Sequence, residues 1–222
     1  MSVNATTTLY DKTIDRAAMI RLFEKHVNGK VELVIDGHTV RVDKLIRDAE
    51  LSQKGFEKLR NAIDLELQNT YKEVFNTTKS ASLDLVIDQV SYTYQNIEAV
   101  FGKIWNTQKP ERRISEDIVL NRPLHEDKTL SAGWAGVSAG ERQRLGAVIR
   151  KGISEGMSVE EIALEVRKGN IHNITRSQSR SLVVTAITSV SAQADHEVYK
   201  ANSKAIQGWQ YVAVLDSRTT PI

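Results

Sequence analysis

The sequence predicts an α+β fold that is mainly helical, and three observations carry that prediction. Apolar residues recur every three or four positions from Lys44 to Phe75 and again from Ser82 to Trp105, the period of an amphipathic helix. Around Asp36-Gly37 the period changes to two, with Val31, Leu33 and Ile35 on one side and Val40 and Val42 on the other. The same alternation returns after Gly208, where Trp209, Tyr211, Ala213 and Leu215 take one side and Gln210, Val212 and Val214 the other.

From the N-terminus, a first stretch of eight mostly polar residues is expected to be loose, and a short helix is predicted over 11–27, with Ile14, Ala17, Ala18, Leu22 and Phe23 on its inner side and Asn28-Gly29 as its end. A β-hairpin near 31–42 follows, because Asp-Gly supplies the positive-φ residues that a two-residue hairpin turn requires. Next comes a predicted antiparallel pair of helices. Leu59, Ile63, Leu67, Tyr71 and Val74 stripe the first, and Leu83, Val86, Val90, Tyr94, Ile97, Phe101 and Ile104 form a seam on the second. Gly55 can break the first helix, and Asn76–Ala81 is the predicted turn between the two. The seam is either internal core or a contact surface.

Residues 109–140 hold two of the chain's three prolines and no steady period, so they read as an irregular linker or arm between a helical region, 1–108, and a second unit, 141–222. In that unit Ser138 is the expected cap of a helix to about Gly156. Ser158-Val-Glu-Glu161 is a capping box opening a short helix closed by Gly169, and Thr175-Arg-Ser-Gln178 is a second one opening a long helix to about Asn202. The final alternating run is a predicted strand.

Composition narrows the chemistry. The 222 residues contain no cysteine, which removes disulfides, thiolate metal sites and a cysteine nucleophile. No apolar run reaches the ~18 residues of a membrane span, and the first residues lack the pattern of a signal peptide, so an intracellular chain is expected. Residues 1–140 carry 19 basic against 20 acidic side chains and the rest 11 against 8, net charges of −1 and +3 that make no strong case for nucleic acid.

Gly136-Val-Ser138-Ala-Gly140 matches the spacing of a nucleophile elbow, but the preceding Leu130–Ala135 is poor strand material, and an elbow needs a strand there. His196-Glu197 begins a zincin-like pattern whose second histidine is replaced by Lys200. His125 and His172 have no partner at helical spacing and read as solvated. The expectation is therefore no catalytic residue, no metal and no cofactor. A helix-turn-helix over 158–202 is the alternative, with Arg176, Ser177, Gln178 and Arg180 at the start of its second helix.

Residues 157–222 resemble the phage head morphogenesis family, the Mu F-like minor head proteins. The likeness runs in order through Ser158-Val-Glu-Glu-Ile-Ala-Leu-Glu-Val-Arg167, then the small residues Ala186, Ser189, Ala192 and Ala194 ahead of Tyr199-Lys-Ala-Asn202, then Gly208-Trp-Gln-Tyr-Val-Ala-Val-Leu-Asp-Ser-Arg-Thr219. Two departures stand out: Val184-Thr185-Ala186 replaces the family's common Arg-Thr-Glu, and Thr220 stands where a first cysteine is frequent, so the domain is expected to be incomplete at Ile222. The resemblance implies a non-enzymatic minor head protein of a tailed phage, located in the virion head and, during assembly, in the host cytoplasm. Portal and capsid or scaffold components are the implied partners. Trp209 and Tyr211, with Asp216 and Arg218 of the terminal motif, are candidate contacts. Arg142, Arg144 and Arg150 are candidates for touching double-stranded DNA non-specifically, or form a solvated basic face.

Overall fold

The computed structural model describes residues 2–50, 52–101, 105–204 and 206, with the side chains of 2–11, 13 and 53 left aside. Among the described residues six helices follow one another: α1 Ser2–Arg47, α2 Gln53–Phe101, α3 Ile114–Leu120, α4 Leu130–Ser154, α5 Val159–Lys168 and α6 Ile171–Ala201. Among the described residues there is no sheet, and β pairing is limited to one isolated bridge between His125 and Lys128. The α+β expectation is corrected on this point. The predicted strand after Gly208 lies outside the described residues.

The hairpin near 31–42 is instead the middle of α1, a helix of 46 residues and ~69 Å. Val31, Ile35 and Val42 satisfy both periods, and burial decides between them. Val27, Val31, Ile35, His38, Val42 and Ile46 are all at most 1% exposed, while Leu33 and Val40, which the hairpin would share with them, are 74% and 69% exposed. A glycine in a helix costs about 1 kcal/mol, less than the burial of several aliphatic side chains returns at ~1.5–3 kcal/mol each. For the same reason Asn28-Gly29 does not end a helix.

The predicted helical pair is likewise one helix, α2, running unbroken through Asn76–Ala81. That segment is polar but holds no glycine or proline to interrupt the backbone, and Thr78 donates its hydroxyl to the Val74 carbonyl at 2.9 Å within the helix. Both apolar stripes exist as far as Phe101, with Ile104 outside the described residues, yet they face other helices rather than each other. α2 packs antiparallel to α1, as Arg16 pairs with Asp88 at 2.8 Å and Arg41 with Glu66 at 2.7 Å. α6 lies parallel to α2, where Gln89 donates to Asp195 at 2.7 Å. Asn202 closes the end of this layer with two 2.7 Å bonds to the backbone N–H and carbonyl of Gln108.

The stretch 109–140 contains α3 and the first turns of α4. Thr129, not Ser138, caps α4, accepting from the Ala132 amide at 3.3 Å, because starting there buries Leu130 and Trp134. Gly133 permits close approach to α6: a Cβ there would lie 2.7 Å from Leu182 Cδ1. The Ser158–Glu161 capping box forms as predicted, with bonds of 2.7 and 3.2 Å. Ser158→Ala is expected to destabilise the protein by about 1 kcal/mol in urea unfolding. The second capping box does not form. Asn170 adopts φ 55°, so a two-residue turn leads straight into α6, burying Ile171 and leaving Thr175 fully buried within the helix.

Candidate functional site

Where α1, α2, α4 and α6 meet, the core is polar. His38 from α1 and Glu141 from α4 are both 0% exposed. His38 Nδ1 lies 3.1 Å from Glu66 Oε1 and its Nε2 lies 3.5 Å from Glu141 Oε1. Thr70, one turn along α2 from Glu66, donates to that carboxylate at 3.0 Å and sits 3.1 Å from His38 Nδ1. Tyr71 donates to Glu141 Oε2 at 2.7 Å, and His172 of α6 places Nδ1 3.9 Å from Glu141 Oε1. On the solvent side Arg41 holds Glu66 at 2.7 Å. Three helices, α1, α2 and α4, are thus joined through alternating charges, Arg41–Glu66–His38–Glu141, and His172 brings α6 against the last of them.

The electrostatics follow from that alternation. Burial alone would push His38 down, but the carboxylates of Glu141 and Glu66 outweigh it and hold the imidazole above its ordinary value. Burial likewise opposes ionised Glu141 and Glu66, and is overcome for Glu141 by His38 and Tyr71 and for Glu66 by Arg41, His38 and Thr70. Both glutamates therefore sit below the usual carboxylate value. Tyr71 is pushed up by burial and then by the Glu141 charge, so it remains a donor. His172 is pushed down by burial, with Glu141 only partly opposing. The cluster is an ion-paired clamp inside the bundle. With His38 and Glu141 sealed from solvent, the cluster ties α1 to α4 across the core.

This cluster was not anticipated. The hairpin expected over 31–42 gives His38 no helical row to belong to, and His172, expected to be solvated, is half-buried against Glu141. The available signal was a charged or imidazole side chain on an apolar helical row: His38 within Val27, Val31, Ile35, Val42 and Ile46, and Glu141 between Trp134 and Leu145.

The anticipated residues are dispersed. Arg142 pairs with Asp64 of α2 at 2.7 Å, whereas Arg144 turns to α6 and donates to Gln178 at 3.1 Å. Arg150 is exposed above Gly146 on the same side of α4 as Arg142. The three arginines therefore form no single face. Trp209, Tyr211, Asp216 and Arg218 lie outside the described residues. Arg176 and Arg180, at the head of the supposed recognition helix, face the α1 carboxylates of Asp36 and Glu32. Ser138 is half-buried inside α4, and Glu197 is tied to Arg122 at 2.7 Å. Among the described residues no group of three or more His, Cys, Asp or Glu is placed to hold a metal ion, and no helix is long and apolar enough to cross a membrane. No protein family, curated protein or solved structure matches this chain.

Proposed function

We propose that this chain is a non-enzymatic minor head protein of a tailed phage, associated with the portal or the capsid interior and acting in head assembly, DNA packaging or DNA delivery. The observation that carries the reading is the ordered resemblance over 157–222: a Ser158-initiated short helix, a long helix with small residues ahead of Tyr199-Lys-Ala-Asn202, and the Trp209 to Thr219 motif. The long helices α1 and α2, packed lengthwise, add extended side surfaces of the kind an assembly component uses. Contact with packaged double-stranded DNA is the secondary part of the proposal.

Purified heads and portal complexes test it. The chain is expected to co-sediment with them in substoichiometric amount relative to the major shell protein, quantified by mass spectrometry. Its absence from heads, together with a sequence-specific shift of duplex DNA at physiological salt that is lost in Arg176→Ala, would replace this reading with that of a DNA-binding regulator. Arg176 is bonded to Asp36 in the fold, which leaves that alternative the weaker of the two.

A further inference from the structure

Along one side of the molecule the first turns of α2 and the second half of α4, which run antiparallel, leave a groove of about 770 Å³ between them. Its floor is apolar: Phe56, Ile63, Ile149 and Ile153 line it, and Ile153 is 39% exposed although no charged atom requires it to face water. Ala139 and Gly146 keep the α4 wall low. From Ala139 to Ile153 the trough runs ~21 Å, the length of a helix of about 14 residues.

The rim is charged and unevenly so. Asp64 is satisfied by Arg142 at 2.7 Å. Arg60 on the α2 side and Arg150 on the α4 side have no carboxylate bonded to them among the described residues, and Glu57 is the one other acid on the lining. An apolar trough between antiparallel helices is the shape that a third helix fills with its own ridge of i, i+3, i+4 and i+7 side chains. Two arginines free on opposite walls select the charge of that helix.

We propose that this groove docks an amphipathic helix of a partner protein, with its apolar ridge on Phe56, Ile63, Ile149 and Ile153 and its flanking Asp or Glu carboxylates on Arg60 and Arg150. Two other occupants fit less well. A nucleic-acid backbone would gain the arginines but leave the apolar floor uncovered. A second copy of this chain offers exposed Leu33 and Val40 on α1, but the acids beside them, Glu32, Asp36 and Asp43, already face Arg180, Arg176 and Arg47. The inference goes beyond the head-assembly reading and does not depend on it.

The test uses the full chain and fluorescein-labelled helical peptides of about 15 residues with leucine at i, i+3, i+4 and i+7. One peptide carries glutamate flanks and the other lysine flanks, and binding is read by anisotropy at about 0.15 M salt. The glutamate peptide is expected to bind in the micromolar range and the lysine peptide at least about tenfold more weakly. The double variant Arg60→Glu/Arg150→Glu, exposed positions whose folding circular dichroism can verify, is expected to reverse that preference. Gly146→Leu, which raises the α4 wall, should weaken both peptides. Equal binding of the two peptides, indifference to the charge reversal, or no binding of the glutamate peptide up to about 1 mM would overturn the proposal. Self-association seen by sedimentation and abolished in Gly146→Leu would assign the groove to a second copy and overturn it as well.

Discussion

His38→Ala is expected to destabilise the protein by ~3–5 kcal/mol, because it leaves Glu141 buried without its counter-charge. Urea unfolding followed by circular dichroism measures this, and a loss below about 1 kcal/mol would mean that the clamp is not formed in solution. Adding Glu141→Gln to His38→Ala should recover part of the loss, since the orphaned charge goes with it.

The same cluster sets a pH dependence whose sign can be worked out group by group. His38 has a folded value above its ordinary 6.5, so its contribution is fully present below that pH and is lost as pH rises through the folded value. Glu141 and Glu66 have folded values below their ordinary 4.5, so their contribution is present above that pH and is lost as pH falls through the folded values. His172, held below 6.5, favours folding less as pH falls below that point, because the unfolded chain takes up the proton more readily. Stability is therefore expected to decline on both the acid and the alkaline side. Across the alkaline limb His38→Ala should be flatter than the parent protein, and a parallel alkaline decline in both would contradict the role given to His38.

Trp134→Ala is expected to cost ~3–5 kcal/mol, the range for emptying a buried aromatic site. Its side chain is 2% exposed, and its ring centroid lies 6.3 Å from that of Tyr71 at a 46° tilt. For a chain of this size the loss corresponds to roughly 6–20 °C in Tm. Scanning calorimetry would read the shift, and Trp134→Phe should lose less by keeping an aromatic ring in the gap. Because Tyr71 also donates to Glu141, Trp134→Ala and His38→Ala share a neighbour, so the double variant should depart from additivity.

What local chemistry decides was legible in the sequence. The Ser158 capping box needs two side chains three residues apart and nothing else, and it forms where the pattern placed it. The buried stripe Leu59, Ile63, Leu67, Tyr71 and Val74 is a property of one helix face and is also where it was read. Failures arose where two patterns shared residues. Val31, Ile35 and Val42 fit a strand and a helix alike, and Asp36-Gly37 tipped the local reading toward a turn. The Thr175 box fails for another reason: Asn170, in the left-handed region, starts the helix four residues ahead of Ile174 and leaves Thr175 inside it.

The sequence by itself determined that this protein is mainly helical, free of cysteine chemistry and only slightly basic, because composition and apolar period are properties of the chain alone. Only the tertiary structure decided that 31–42 is helix, that 53–101 is one element, and that His38, Glu66, Tyr71, Glu141 and His172 meet. The reason is physical. Which of two periods wins depends on whose side chains lose their water, and a charge becomes tolerable in a core only when helices distant in sequence bring its partners to it.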